Sequence, residues 1–154
     1  MPLSDLLAPK AVFPALKVNN KKQAIQELSA KAAELIGRDE REIFETLLQR
    51  ERLGSTGVGN GVAIPHAKLP KLDKLVGLFA RLTKPIDFEA LDGEPVDLVF
   101  LLLAPEAAGA DHLKALARIA RLLRDDQIAR KLRAARDADT VYAMLTTPPA
   151  SHAA

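Results

Sequence analysis

Apolar residues recur at helical spacing in the first third of the chain and fall into long extended runs in its middle. After Asn20, residues Ala24, Ile25, Leu28, Ala32, Leu35 and Ile36 mark one face of a helix that Gly37 ends. A second helix follows at once, with Asp39 and Glu42 as a capping pair and Ile43, Phe44, Leu47 and Leu48 as its apolar face. Ahead of these, residues 3–8 fit a helical turn capped by Ser4. Residues 12–18 alternate loosely around Pro14, which suits a short or edge strand.

Residues 75–83 and 96–104 read as strands, and the second is apolar at successive positions, as a central strand covered on both faces requires. The connection TKPIDFEALDGEPVD between them carries two prolines and a glycine, so turns are expected there. A helix over 111–123 is predicted to bury Leu113, Leu116, Ala117, Ala120 and Leu123, and shorter helices follow over 126–135 and 137–145. Helices and strands alternate with no repeat and no linker. The pattern predicts one domain over 1–146, an α/β sandwich with a mixed sheet of four to six strands and helices on both faces. The polar-to-small tail 147–154 is expected to be disordered.

Composition narrows the possibilities without choosing among them. At 154 residues and 48% hydrophobic, the chain has the make-up of an ordinary soluble domain. A net charge of +2 does not demand a polyanion. Basic residues do gather late, from Lys114 to Arg136, but no aromatics or groove-reading motif accompany them, so nucleic acid is not expected. There is no cysteine for a disulfide or thiolate site, no signal-peptide pattern, and no apolar run long enough to span a bilayer. A cytoplasmic location without membrane insertion is the expectation.

The chemistry concentrates in LGSTGVGNGVAIPHAK, residues 53–68. Gly54, Gly57, Gly59 and Gly61 allow a tight backbone whose N–H groups can approach an anion. No nucleotide fingerprint fits: neither the closing Lys-Ser/Thr of a phosphate loop nor GxGxxG after a strand is present. Pro65 stiffens the segment just before His66 and pushes Ile64 towards an extended conformation. Two readings of His66 stand at this point, a structural histidine capping a loop and a nucleophilic imidazole. The second needs an orienting group and cationic or N–H donors nearby. Arg50, at the end of the second helix, has the planar fork for phosphate. His112, placed in the first turn of the late helix by an Asp111 cap, sits where free N–H groups favour an anion. Ser55 and Thr56 are expected as turn residues able to donate to phosphate, and Val58, Val62 and Leu69 as an apolar rim. Zinc is not expected, because His152 lies in the tail, and His66 and His112 lack an HExxH-like spacing. No GxSxG elbow supports serine-hydrolase chemistry.

The segment GSTGVGNGVAIPHAKLPKL resembles the phosphorylation-site motif of nitrogen-regulatory enzyme IIA proteins, in the mannitol/fructose class of the phosphoenolpyruvate phosphotransferase system. KPIDFEALDGEPVDLVFLLLAP and DHLKALARIARLL resemble the same family in the same order, so the likeness covers about residues 5–146. It implies an α/β sandwich in which His66 accepts a phosphoryl group from an HPr-like phosphocarrier, with His112 and Arg50 in support and with no cofactor or metal. Ala67 departs from the glycine that members often carry after the active histidine. The resemblance further implies a phosphoprotein that binds regulatory targets, such as potassium transporters or sensor kinases, according to its phosphorylation state. A sugar-specific IIA component that passes the group to a IIB domain, and a binding module that never carries phosphate, are the alternatives.

Overall fold

The computed structural model describes residues 2–147. The tail read at 147–154, His152 included, lies outside the described residues except for Thr147. A short 3₁₀ turn at Leu3–Asp5, capped by Pro2 rather than Ser4, leads into the strand β1 (Leu7–Leu16), which starts earlier than expected. The helices α1 (Lys21–Ile36) and α2 (Glu40–Leu53) follow. Asn20 caps α1 by accepting the Gln23 N–H at 2.8 Å, and Gly37 closes it at φ 67°, a left-handed position that favours glycine. Asp39 occupies the cap position of α2 but makes no side-chain cap bond. Its expected partner Glu42 is bound instead to Arg38 Nη2 at 2.8 Å.

The glycine-rich segment is not a loop. It forms a hairpin of β2 (Gly57–Gly59) and β3 (Val62–Ala63), and then β4 (His66–Leu69). Asn60 and Gly61 lie at the tip, both with positive φ, 58° and 78°, as an Asn-Gly turn of the primed type I class requires. The long strands β5 (Val76–Ile86) and β6 (Val96–Pro105) come next, then α3 (Ala110–Leu123), α4 (Asp126–Ala134) and α5 (Ala138–Thr146).

The six strands form one mixed sheet in the order β1-β5-β6-β3-β2, with β4 also on β6. β1 runs parallel to β5 at an edge, where Pro9 and Pro14 are tolerated. β5 and β6 are antiparallel, and β3 and β4 both run parallel to β6, interrupted only at Ile64-Pro65. β6 is buried at successive positions from Leu98 to Ala104, so both its faces are covered. The sandwich with helices on both faces is therefore as expected. Among the described residues no helix is long and apolar enough to cross a membrane.

One predicted face is only partly right: Leu123 is buried and Leu116 and Ala120 pack against the core, as expected. α3 buries His112, Ala115, Ile119 and Leu123, while Leu113 is 65% exposed and Ala117 faces solvent. Rotating the helix by about one position puts a histidine inward and a leucine outward, a trade that hydrophobicity alone does not make.

Candidate functional site

His66 opens β4 and pairs in register with Leu102, so it sits directly on the buried central strand of the sheet. The Pro65 carbonyl accepts the Leu102 N–H at 2.9 Å, which locks the residue before it as well. From the other side, α2 presents Thr46, Gln49, Arg50 and Leu53 along one face. These residues, with His66, Lys68 and His112, line an open hollow of about 490 Å3. A larger hollow of about 630 Å3 near Asp5, Lys74 and Asp111 holds no histidine.

The three side chains picked from the sequence meet here. Arg50 Nε lies 3.2 Å from His66 Nε2, and His66 Nδ1 lies 2.9 Å from the Ile64 carbonyl. A carbonyl can only accept and a guanidinium can only donate, so the two partners set the ring's tautomer. Nδ1 carries the proton and Nε2 carries the lone pair. Arg50 is itself anchored, its Nη1 donating to the Gly54 carbonyl at 2.9 Å. The His112 ring is 5.5 Å from that of His66, centroid to centroid, and tilted by 51°. His112 is the third residue of α3 and only 8% exposed, and its Nε2 is buried without a hydrogen-bond partner among the described residues. An unsatisfied buried polar atom beside a second imidazole can hydrogen-bond a group entering the hollow.

Both imidazoles are held below their ordinary value of 6.5. For His66, burial is the main cause; the Ile64 carbonyl opposes it, the Arg50 guanidinium adds to it, and the Glu51 carboxylate opposes it again. For His112, burial again leads, followed by the His66 ring and Lys68. At neutral pH the pair is therefore neutral, and the His66 Nε2 lone pair faces the Arg50 guanidinium.

Several expected supporting roles fall away. The glycine N–H groups do not line the hollow. Gly57 is small because a Cβ there would meet the Ala90 backbone at 2.9 Å, and Gly61 because its φ of 78° favours glycine and a Cβ there would run into Arg133 Nη2 and Asp97. Ser55 Oγ donates to the Phe88 carbonyl, and Thr56 is buried against Glu51. Neither is available to phosphate. Val62 and Leu69 are fully buried and form no rim. Of the exposed large apolar residues Leu53, Leu91 and Leu113, Leu53, at 85%, lines the hollow with His66, and Leu113 is next to His112 in the chain. The α3 cap is Gly109, not Asp111. Sequence reading also missed Lys68, although its spacing of two from His66 on a strand puts both on one face. Among the described residues no three histidine, aspartate or glutamate side chains are grouped as metal ligands.

Comparison with known proteins places this geometry in context. The model of the family described as "Phosphoenolpyruvate-dependent sugar phosphotransferase system, EIIA 2" matches residues 5–147. A nitrogen regulatory protein of Bradyrhizobium diazoefficiens is 72% identical over 99% of this chain and 100% of its own length. The crystal structure of the nitrogen regulatory protein IIA-Ntr from Neisseria meningitidis superposes with a TM-score of 0.89 at 35% identity, covering 94% of this chain and 99% of that one. The IIA mannitol structure from Escherichia coli shares the fold at 21% identity, with a TM-score of 0.75 over 90% of this chain and 97% of that one.

Proposed function

The chain belongs to the phosphoenolpyruvate-dependent sugar phosphotransferase system EIIA 2 family, and as a member of it, we propose, it accepts a phosphoryl group on Nε2 of His66 from an HPr-like phosphocarrier and acts as a nitrogen-regulatory IIA protein. The observation that carries this reading is the pair of bonds on one ring: Nδ1 committed to Ile64, and Nε2 free of protons and facing Arg50.

In the transfer, the P–N bond of the carrier's phosphohistidine breaks as the new bond to His66 Nε2 forms. The carrier's ring leaves neutral. The His66 ring keeps its Nδ1 proton and gains positive charge, which the Ile64 carbonyl stabilises. Arg50 cannot hold the lone pair while that lone pair attacks, so its fork moves from Nε2 to the phosphoryl oxygens. His112 Nε2 donates to another of these oxygens. Positioning and charge stabilisation supply most of the catalysis in such transfers. Leu53 and Leu113 form the apolar contact for the carrier.

The regulatory branch is favoured over a sugar-specific role by the likeness to nitrogen regulatory proteins along the full length of both chains. Phosphorylation adds about −1.5 to −2 of charge at the hollow, enough to change which cytoplasmic targets bind there. Potassium transporters and sensor kinases are the target classes to examine. The test is incubation with enzyme I, the carrier and labelled phosphoenolpyruvate, followed by binding assays on both forms. Label should enter the wild type and not His66→Ala, and targets should discriminate between the two states. Label on His66→Ala would refute the site. Onward transfer to a IIB domain with sugar phosphorylation would establish the sugar-specific alternative, and partner binding indifferent to His66 would establish the plain binding module.

A further inference from the structure

α2 buries Ile43, Leu47 and Glu51 at intervals of four, so a carboxylate occupies the last core-facing position, one residue after Arg50. Glu51 is 8% exposed and fully engaged. Lys21 Nζ lies 2.9 Å from Oε2, the Thr56 N–H donates to Oε2 at 3.1 Å, and the Thr56 hydroxyl donates to Oε1. Replacing a buried ion pair with apolar residues is often neutral for stability, so stability alone gives a weak reason for this one.

Its local effect is to close residues 51–56 into a ring. Gly54 lies inside the ring, its N–H donating to the Glu51 carbonyl at 3.1 Å and its own carbonyl accepting Arg50 Nη1 at 2.9 Å. On the far side, the Thr56 carbonyl accepts the Ile64 N–H at 2.9 Å, and the Ile64 carbonyl accepts His66 Nδ1–H at 2.9 Å. Both hydrogen bonds of the His66 ring therefore trace back to the same pair. The Nε2 bond runs through Arg50 and Gly54, and the Nδ1 bond runs through Ile64.

We propose that Glu51 and Thr56, with Lys21 as counter-charge, are positioning residues that hold His66 in its Nδ1–H tautomer with Nε2 turned to Arg50. For phosphoryl transfer this rests on His66 being the acceptor, as read above. Supporting groups of this kind hold a reacting ring within the narrow range of angles that transfer tolerates.

Thr56→Val keeps the volume and removes the hydroxyl that holds Glu51, while Thr56→Ser restores it. The tautomer is read from the 15N ring shifts of His66 in the unphosphorylated chain, with no carrier present. Wild type and Thr56→Ser should show the Nδ1–H form alone, and Thr56→Val a mixture. In transfer from the carrier, Thr56→Val should lose about 10- to 100-fold in kcat with KM little changed, and Thr56→Ser should recover most of it. If Thr56→Val does not fold, Lys21→Met is read in the same way. A wild-type tautomer and kcat in the variant that folds would overturn the proposal, whatever happens to its unfolding temperature. If the wild type takes no phosphoryl group while the variant still mixes tautomers, the acceptor reading fails and the positioning of the ring stands.

Discussion

Replacing Arg50 by alanine removes two hydrogen bonds at once, the 3.2 Å contact to His66 Nε2 and the 2.9 Å anchor on the Gly54 carbonyl. The anchor is solvent-exposed, and its loss should lower stability by no more than about 1 kcal/mol. The effect on transfer should be much larger. A guanidinium about 4 Å from the charge on a transferring phosphoryl group is worth roughly 4 kcal/mol at an effective dielectric near 20. Arg50 is only half-buried, and solvent screening reduces that to about 3 kcal/mol, in line with the loss of one positioned donor in other transfers. The expected consequence is a rate of phosphoryl uptake about 10²-fold slower at saturating carrier. The assay is single-turnover transfer of label from the phosphorylated carrier, quenched over time and compared with the unfolding midpoint of the same preparation. Arg50→Lys keeps the charge without the fork and should fall between the two. A loss of less than about threefold in Arg50→Ala, with the fold intact, would show that Arg50 does not support the transferring group and that its contact with Nε2 is incidental.

His112→Asn should slow uptake by roughly 10²-fold while leaving label on His66, because it removes one donor and not the nucleophile; label moving away from His66 would contradict this. Both histidines titrate below 6.5 when folded and near 6.5 when unfolded, so the unfolded chain binds more protons as pH falls. Stability should therefore decline from about pH 6.5 downward through the folded pKa values, and a His66→Gln, His112→Gln double variant should show a shallower decline in thermal unfolding. Gly77→Ala should destabilise by about 1–3 kcal/mol in urea unfolding, since its Cβ would lie 2.7 Å from both Leu6 Cδ1 and Phe100 Cε1.

Much of the fold was legible because local signals and tertiary burial agreed. Asn20 and Gly37 bounded α1 by capping chemistry, and the apolar run from Leu98 to Ala104 marked the covered central strand. His66, Arg50 and His112 were legible as a set because each sat at an element terminus with a stated chemical use. The glycine segment was misread for a physical reason. Glycine density signals close approach, but sequence does not say of what, and here the neighbours are the chain's own Ala90, Asp92, Asp97 and Arg133. The Asn60-Gly61 pair was the available clue to a hairpin. The face of α3 was missed because hydrophobicity points Leu113 inward, whereas the helix turns His112 inward and leaves Leu113 exposed. Glu51 was hidden for the related reason that a carboxylate at the core-facing spacing of Ile43 and Leu47 becomes interpretable only once Lys21 and Thr56 are seen around it.

Phosphoryl acceptance by this chain comes down to one nitrogen atom, Nε2 of His66. The chain, labelled with 15N histidine and phosphorylated through enzyme I and carrier, can be read by 15N and 31P NMR. The expected result is a single phosphorus, bonded to Nε2 of His66, with the proton retained on Nδ1. Phosphorus on Nδ1 of His66, on His112, or on neither ring would contradict it.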